Sequence, residues 1–122
     1  KVAFVEGACG WLPFWSERMD EHYYKLRPQW PLLKRKPSEI IRSGQVNFTC
    51  EPEETILPYV LDDIGITQVM YASDYRHWDS EFPDSVKEVK KIAGMTDDKL
   101  RHVLGENAQK WFNLQDRDLP VR

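Results

Sequence analysis

The side chains best suited to chemistry are concentrated in one segment, residues 70–83, which reads MYASDYRHWDSEFP. An apolar run ends there at Asp74, and His77 and Asp79 follow within five residues. Carboxylate and imidazole groups are the usual protein ligands of zinc and related metals. Asp74 is therefore a candidate metal ligand, although the spacing of these residues is not diagnostic.

The elements that must position this segment alternate between apolar runs and helical patterns. The predicted strands are residues 2–6, 45–50 and 67–74, and the predicted helices are residues 10–26, 38–42, 52–65, 84–94 and 96–112. Trp15 is expected in the apolar stripe of the first helix, and the acids that follow Pro52 are expected in a first helical turn, where the helix dipole favours them. Ser38 and Thr96 are predicted N-caps, and Gly44 and Gly65 are predicted helix ends. This alternation indicates an α/β fold with right-handed crossovers and a parallel sheet. Three parallel strands would leave both sheet edges open. The pattern therefore favours a βαβαβα unit that is incomplete on its own, most simply the last three units of a (β/α)₈ barrel.

Polar side chains follow the carboxyl end of each predicted strand, where α/β folds place their sites. They are Glu6, Cys9, Cys50, Glu51, Asp74, His77 and Asp79. A catalytic metal needs about three protein ligands. The sequence contains no His-x-His, His-Glu-x-x-His or Cys-x-x-Cys motif. A site is therefore predicted because polar residues follow the carboxyl ends of all three strands, and not because of a sequence motif.

Each candidate residue also has a structural interpretation. Asp74 would cap the turn after its strand, and His77 would bond to the backbone of a loop. Glu6 would pair with an arginine, and Trp11 and Trp78 would serve packing alone. Structural roles are predicted for the two remaining histidines, His22 and His102.

Composition bounds the protein class. The 122 residues fit one domain, residues 1–122, and the net charge of -3 argues against nucleic acid or an anionic membrane as the main partner. No apolar run approaches the roughly 20 residues that span a bilayer. Cys9 and Cys50 are too few for a disulfide scaffold and are predicted to be reduced thiols in a cytoplasmic protein. The chain opens inside a strand without methionine, so we interpret it as a fragment.

Three segments carry a family resemblance: VAFVEGACGWLPFWSERMDEHY, PSEIIRSGQVNFTCEPEE and VMYASDYRHWDSEFPDSV. They resemble the C-terminal part of amidohydrolase-related proteins, metal-dependent hydrolases and decarboxylases of the aminocarboxymuconate-semialdehyde decarboxylase type. The segment LRHVLGENAQKWFNL resembles the asparagine-alanine helix that closes those proteins. The resemblance implies a (β/α)₈ barrel with a divalent metal, often zinc, at its mouth.

The same resemblance implies roles for individual residues. Asp74 occupies the position of the family's last metal ligand, at the end of the eighth strand, where it would also assist proton transfer. Glu6, Trp11, His77 and Trp78 are predicted to contact the substrate around it. The family's usual Asp-Tyr-Pro-His is here Asp-Tyr-Arg-His, because Arg76 replaces the proline and adds a charge to the loop. The segment thus keeps the carboxylate and changes the turn beside it.

The family's other metal ligands lie on earlier strands that residues 1–122 do not contain. The resemblance therefore implies a portion of a metal-dependent amidohydrolase or decarboxylase acting on a carboxylated or cyclic small molecule. The intact parent would hold the metal, most simply zinc, and the isolated chain would be inactive. A substitute site made of Asp74, His77, Cys50 and Glu6 is the alternative to a chain without metal.

A non-catalytic function is the alternative to the enzymatic one. In that case the chain is an interaction protein that covers its open edges by self-association. Both hypotheses predict a partner for the apolar edges, either a second copy in a homo-oligomer or a missing N-terminal half.

Overall fold

The computed structural model describes residues 1–114, which form a parallel three-stranded sheet with helices in the connections. The strands are β1 Val2–Phe4, β2 Val46–Cys50 and β3 Val69–Tyr71. They lie in the order β1-β2-β3, and both neighbouring pairs are parallel. The predicted α/β class, the strand number and the parallel direction are confirmed, while each strand is shorter than predicted.

The helical segments are also shorter than their sequence patterns suggested. The α-helices are α1 Leu12–Lys25, α2 Pro37–Ile40, α3 Leu57–Ile64, α4 Ser85–Lys91, α5 Asp97–Arg101 and α6 Asn107–Trp111. A 3-10 turn spans Arg27–Gln29, and π turns span Ile41–Gln45 and His102–Glu106. None of the helices within residues 1–114 is long and apolar enough to span a bilayer.

Helix α3 supplies much of the core. Pro58 lies in its first turn and does not disturb it, because the first amides of a helix need no partner within the helix. Gly65 ends the helix with a φ of 109°, a left-handed value that favours glycine. The buried side chains of α3 pack with those of β2 and β3 in one cluster, which includes Leu57, Val60, Leu61, Ile64, Phe48, Cys50 and Val69.

The start of α2 differs from the sequence prediction. Ser38 was expected to cap the helix, but Pro37 is its first residue and Lys36 is the N-cap. The Ser38 backbone N and Oγ instead donate to the Asp20 carboxylate, at 2.9 Å and 2.6 Å. Asp20 therefore ties α1 to the start of α2, a contact between elements that no local pattern indicates.

The buried stripe of α1 also differs from the prediction. Leu12 and Ser16 are buried, whereas Trp15, expected in the apolar stripe, is half exposed. Trp15 packs edge-on against Phe14 at the surface, with ring centroids 5.5 Å apart. Because α1 packs against α2 and α3, a small residue lies on the covered side of the helix and the tryptophan lies outside.

The segment from α5 to α6 anchors the far edge of the sheet. Thr96 caps α5 as predicted, since its Oγ1 accepts from Lys99 N at 3.3 Å. After the π turn, the Asn107 side chain Nδ2 donates to the backbone oxygens of Val69 (2.6 Å) and Ile66 (2.8 Å). Asn107 itself is buried.

The two edges of the sheet consequently differ. Phe48 N bonds to Gln68 O and Ala72 N bonds to Cys50 O, so the Val69 oxygen points away from β2. The prediction that the β3 edge is open is therefore wrong at this position, because Asn107 occupies it. The β1 edge agrees with the prediction, since three of its apolar side chains are more than half exposed: Val2, Phe4 and Val5.

Candidate metal site

Asp74 lies in a tight loop just beyond the carboxyl end of β3. His77 N donates to Asp74 O at 3.1 Å, and Ser80 Oγ donates to Ser73 O at 3.0 Å. Asp74 has a φ of 52° and Arg76 a φ of 80°. These left-handed values cost free energy in non-glycine residues. The loop thus holds a partly buried carboxylate in a conformation that local preference alone would not select.

Three side chains bring donor atoms together at this loop, Glu6 from the end of β1 and Asp74 and His77 from the end of β3. Glu6, Asp74 and His77 each offer one ligand atom, and these atoms lie within 4.8 Å of one another. The imidazole Nδ1 of His77 is 3.1 Å from Oδ2 of Asp74. Glu6 itself has a left-handed backbone conformation, with a φ of 57°. Its backbone N donates a hydrogen bond to Thr49 Oγ1 at 3.1 Å.

This donor set fits a divalent cation. Two carboxylates and an imidazole match the ligand preference of zinc-type metals. Bonds of about 2.0–2.2 Å in a tetrahedral arrangement place ligand atoms roughly 3.3–3.6 Å apart. The ligand atoms of the three residues lie within 4.8 Å of one another, a spacing comparable with that range.

The two cysteines stand outside this group, which corrects the four-residue alternative that included Cys50. Both thiols are free and buried. Burial, with the neighbouring charge of Glu54, raises the pKa of Cys50 to about 12 and the pKa of Cys9 further above its usual range. Because the thiolate is the metal ligand, burial of the two thiols disfavours metal binding by either cysteine.

Family membership follows from the whole chain rather than from this site alone. The sequence profile of the family described as amidohydrolase matches residues 1–114. The chain belongs to the amidohydrolase family. Among curated proteins, none matches it at a significant level. Proteins of the amidohydrolase family typically bind a divalent metal, in agreement with the donor set around Asp74.

A solved structure shares the fold of this amidohydrolase chain. It is the apo form of IDCase from Metarhizium anisopliae, which is 18% identical in sequence and superposes with a TM-score of 0.65. The match covers 92% of this chain and 33% of IDCase. The chain therefore spans about a third of the length of that structure.

The remaining predicted residues lie around the same end of the sheet. Trp78 is 95% exposed and so does not serve packing. Trp11 donates from Nε1 to Gly7 O at 2.8 Å, and its ring meets Phe48 edge-on, which gives it a packing contact. Within residues 1–114 no ion pair joins Glu6 to an arginine. The substrate-contact roles assigned to Glu6, Trp11, His77 and Trp78 stay predictions.

The charges on the loops that follow the three strands, which we call the rim of the site, favour a bound cation. Partial burial and the neighbouring carboxylates, Glu54 first, raise the pKa of Glu51, and Asp74 and Asp79 contribute to that rise. Carboxylates that crowd together in this way repel one another, and a divalent cation relieves the repulsion. Glu51 and Asp79 thus add to the field at the three-donor group without belonging to it.

The sequence analysis assigned the wrong structural role to the carboxylate of Glu54. Glu54 was placed in the first turn of a helix, where the helix dipole favours acids. Helix α3 begins only at Leu57, and the Glu54 carboxylate accepts hydrogen bonds from the loop that follows β1. The available signal was its position four residues after β2, at the end of the sheet where the site lies.

Structural roles were predicted for the two helical histidines, and His102 makes a contact that agrees with such a role. His102 Nδ1 lies 3.2 Å from Oδ1 of Asn107, and so belongs to the anchor at the opposite end of β3. His22 is on the exposed surface of α1.

Proposed function

We propose that the chain is the C-terminal portion of a metal-dependent amidohydrolase or decarboxylase that acts on a carboxylated or cyclic small molecule. Residues 1–122 would contribute the last three strands of a (β/α)₈ barrel. The observation that carries this proposal is the convergence of Glu6, Asp74 and His77 at the carboxyl end of a parallel sheet in an amidohydrolase-family chain. The two free, buried cysteines agree with a cytoplasmic location.

Asp74 is the central residue of the proposed chemistry. A divalent cation, most simply zinc, supplies Lewis acidity at such a site. Glu6, Asp74 and His77 would hold it, and the second oxygen of Asp74 would accept or deliver a proton at the substrate. His77 Nδ1 lies 3.1 Å from Oδ2 of Asp74, and the exposed ring of Trp78 would provide an apolar surface for the substrate.

Catalysis requires the ligands that the family carries on earlier strands. We therefore expect no hydrolase or decarboxylase turnover from residues 1–122 alone, because incomplete metal ligation removes transition-state stabilisation on the order of several kcal/mol. Turnover of a carboxylated aromatic compound by this chain that is lost in Asp74→Ala would overturn this expectation.

Metal binding tests the site directly. The chain should bind Co²⁺ with the visible absorption of a protein-ligated ion, and Asp74→Asn should abolish that absorption. Asp79→Asn is the matched control, because it removes a nearby charge from outside the three-donor group and should retain binding. Equal Co²⁺ binding by the wild type and Asp74→Asn would overturn the assignment of Asp74.

The exposed β1 edge supports a second, non-catalytic candidate. Val2, Phe4 and Val5 are 55%, 51% and 60% exposed, and apolar strand edges of this kind pair with other chains. We propose that a second copy of the chain, or the preceding part of a longer chain, covers this edge. Sedimentation at micromolar concentration should show a dimer that Phe4→Lys dissociates. A wild-type monomer would exclude self-association.

A further inference from the structure

Glu54 joins the two loops that form the rim of the candidate site. Its Oε1 accepts hydrogen bonds from the backbone N of Cys9 (2.8 Å) and of Gly10 (3.0 Å). Its Oε2 accepts from the backbone N of Glu51 at 2.9 Å and from the thiol of Cys9 at 3.4 Å. A single carboxylate therefore satisfies three backbone amides that are up to 45 positions away in sequence.

The loop that Glu54 holds is also supported by the hydrogen bond from Glu6 N to Thr49 Oγ1 and by burial of Cys9 in the core. Residues 6–11 contain two left-handed non-glycine residues, Glu6 and Ala8, with φ values of 57° and 50°. Such residues persist only where their surroundings fix them. The loop also packs closely on the segment after Glu54, since a Cβ on Gly10 would lie 3.0 Å from Cγ2 of Ile56. The Glu54 carboxylate thus supplies the hydrogen bonds that fix the Cys9–Gly10 part of this loop.

We propose that Glu54 is a positioning residue of the metal site, and this inference rests on the proposed function. By anchoring Cys9 and Gly10 it fixes the loop that begins with Glu6, and so holds the Glu6 carboxylate near Asp74 and His77. The same loop carries Trp11. Glu54 touches none of the three donor atoms itself and acts through the backbone.

The chemistry of the contact explains why a glutamate is needed. All four of its hydrogen-bond partners are donors, and an ionised carboxylate accepts at both oxygens. In Glu54→Gln one oxygen becomes an NH₂ group, which is itself a donor. Either the Cys9 and Gly10 amides or the Glu51 amide would then face a donor. The loop after β1 would consequently separate from the turn at residues 51–54.

The test compares Co²⁺ affinity in the full chain. We expect Glu54→Gln to weaken Co²⁺ binding about 10–100-fold, the usual cost of losing a residue that supports a metal ligand. Glu53→Gln is the matched control, because it removes an adjacent exposed charge without touching the loop, and it should bind Co²⁺ like the wild type. Hydrogen exchange of the amides in residues 6–11 should become faster in Glu54→Gln alone, with or without Co²⁺.

A double variant distinguishes positioning from general loss of structure. If Glu54 acts through Glu6, then Glu54→Gln should cause no further loss of affinity in a Glu6→Gln background. An independent loss in that background, or wild-type affinity in Glu54→Gln, would overturn this role while leaving Asp74 as a metal ligand. Absence of Co²⁺ binding by the wild type would instead overturn both this inference and the proposed metal site.

Discussion

The two ends of the sheet differ in their buried hydrogen bonds and in their backbone strain. At the amino-terminal end, Asn107 is buried and bonds to the oxygens of Ile66 and Val69. At the carboxyl-terminal end, four non-glycine residues have left-handed backbone angles: Glu6, Ala8, Asp74 and Arg76. Only one other non-glycine residue within residues 1–114, Asn113, has a positive φ. The strain is thus concentrated at the end that carries the donor atoms.

The amino-terminal end of the sheet therefore contributes stability to the fold, and the carboxyl-terminal end reduces it. Satisfied buried hydrogen bonds stabilise a fold, whereas strained residues and crowded like charges oppose it. Such features accumulate at binding sites because a rigid surrounding structure can support them. Substitutions at the amino-terminal end should therefore change stability without changing metal binding, and substitutions at the rim should have smaller or opposite effects on stability.

Among the substitutions of polar residues, the largest expected effect is that of Asn107→Ala. It leaves two backbone oxygens without their partner, at about 1–3 kcal/mol each. The free energy of unfolding, measured by urea denaturation, should fall by about 2–4 kcal/mol, while the folded fraction keeps its Co²⁺ affinity. Lys110→Ala, exposed on the same helix, should cost under about 0.5 kcal/mol. A loss below about 1 kcal/mol for Asn107→Ala would contradict the conclusion that the amino-terminal end of the sheet stabilises the fold.

The next effect concerns Asp20 and depends on pH. Partial burial opposes its ionisation, but the hydrogen bonds from Ser38 and the charge of Lys36 outweigh burial and lower the pKa of Asp20 below its usual value. Its stabilisation is therefore present above the usual aspartate pKa and is lost as the pH falls through the lowered folded-state pKa.

Asp20→Asn should accordingly cost about 1–2 kcal/mol at neutral pH, because charge-assisted hydrogen bonds to Ser38 are weakened. The difference from the wild type should shrink as the pH falls below about 4. Urea denaturation at several pH values measures it, with the exposed Glu17→Gln as the control. A difference that stays constant down to the acid transition would show that the Asp20 charge is not responsible.

A smaller effect of opposite sign is expected at the rim. Arg76 has a φ of 80°, and Arg76→Gly should remove a backbone cost on the order of 1 kcal/mol. The exposed stacking of Arg76 on Tyr75 offsets part of that gain, so we expect a net stabilisation of about 0.5 kcal/mol. Arg76→Ala removes the same side chain and keeps the Cβ, so it should show no gain. Equal effects of the two variants would exclude backbone strain as the cause.

The smallest effect is expected for Trp78→Ala. A side chain that is 95% exposed has little packing to lose, so the free energy of unfolding should change by less than about 0.5 kcal/mol. Thermal denaturation measures this change, and Leu61→Ala in the core is the comparison variant, with an expected loss of about 2–5 kcal/mol. A loss above 1 kcal/mol for Trp78→Ala would mean that this tryptophan supports the rim and is not free for a substrate.

Local pattern was enough for the general fold. Alternating apolar runs and helical periods predicted three parallel strands, and Gly65 and Thr96 each marked one helix end correctly. Ser38 was misassigned because a serine before a helix satisfies the capping pattern whether or not a distant carboxylate such as Asp20 accepts its hydrogen bonds. Trp15 was misassigned because periodicity does not show which side of an apolar stripe packs against the rest of the fold.

Residue types and their order along the chain were enough to predict the parallel α/β arrangement and the family, and to propose Asp74 as the central residue of the site. The folded chain was needed to show that Glu6 and His77 lie beside Asp74 while Cys50 does not, that Asn107 occupies the β3 edge, and that Glu54 holds the loop after β1. The contacts of Glu6, Asn107 and Glu54 join segments far apart in sequence. Their geometry depends on where the strands end and how the loops pack, which no local pattern of residues specifies.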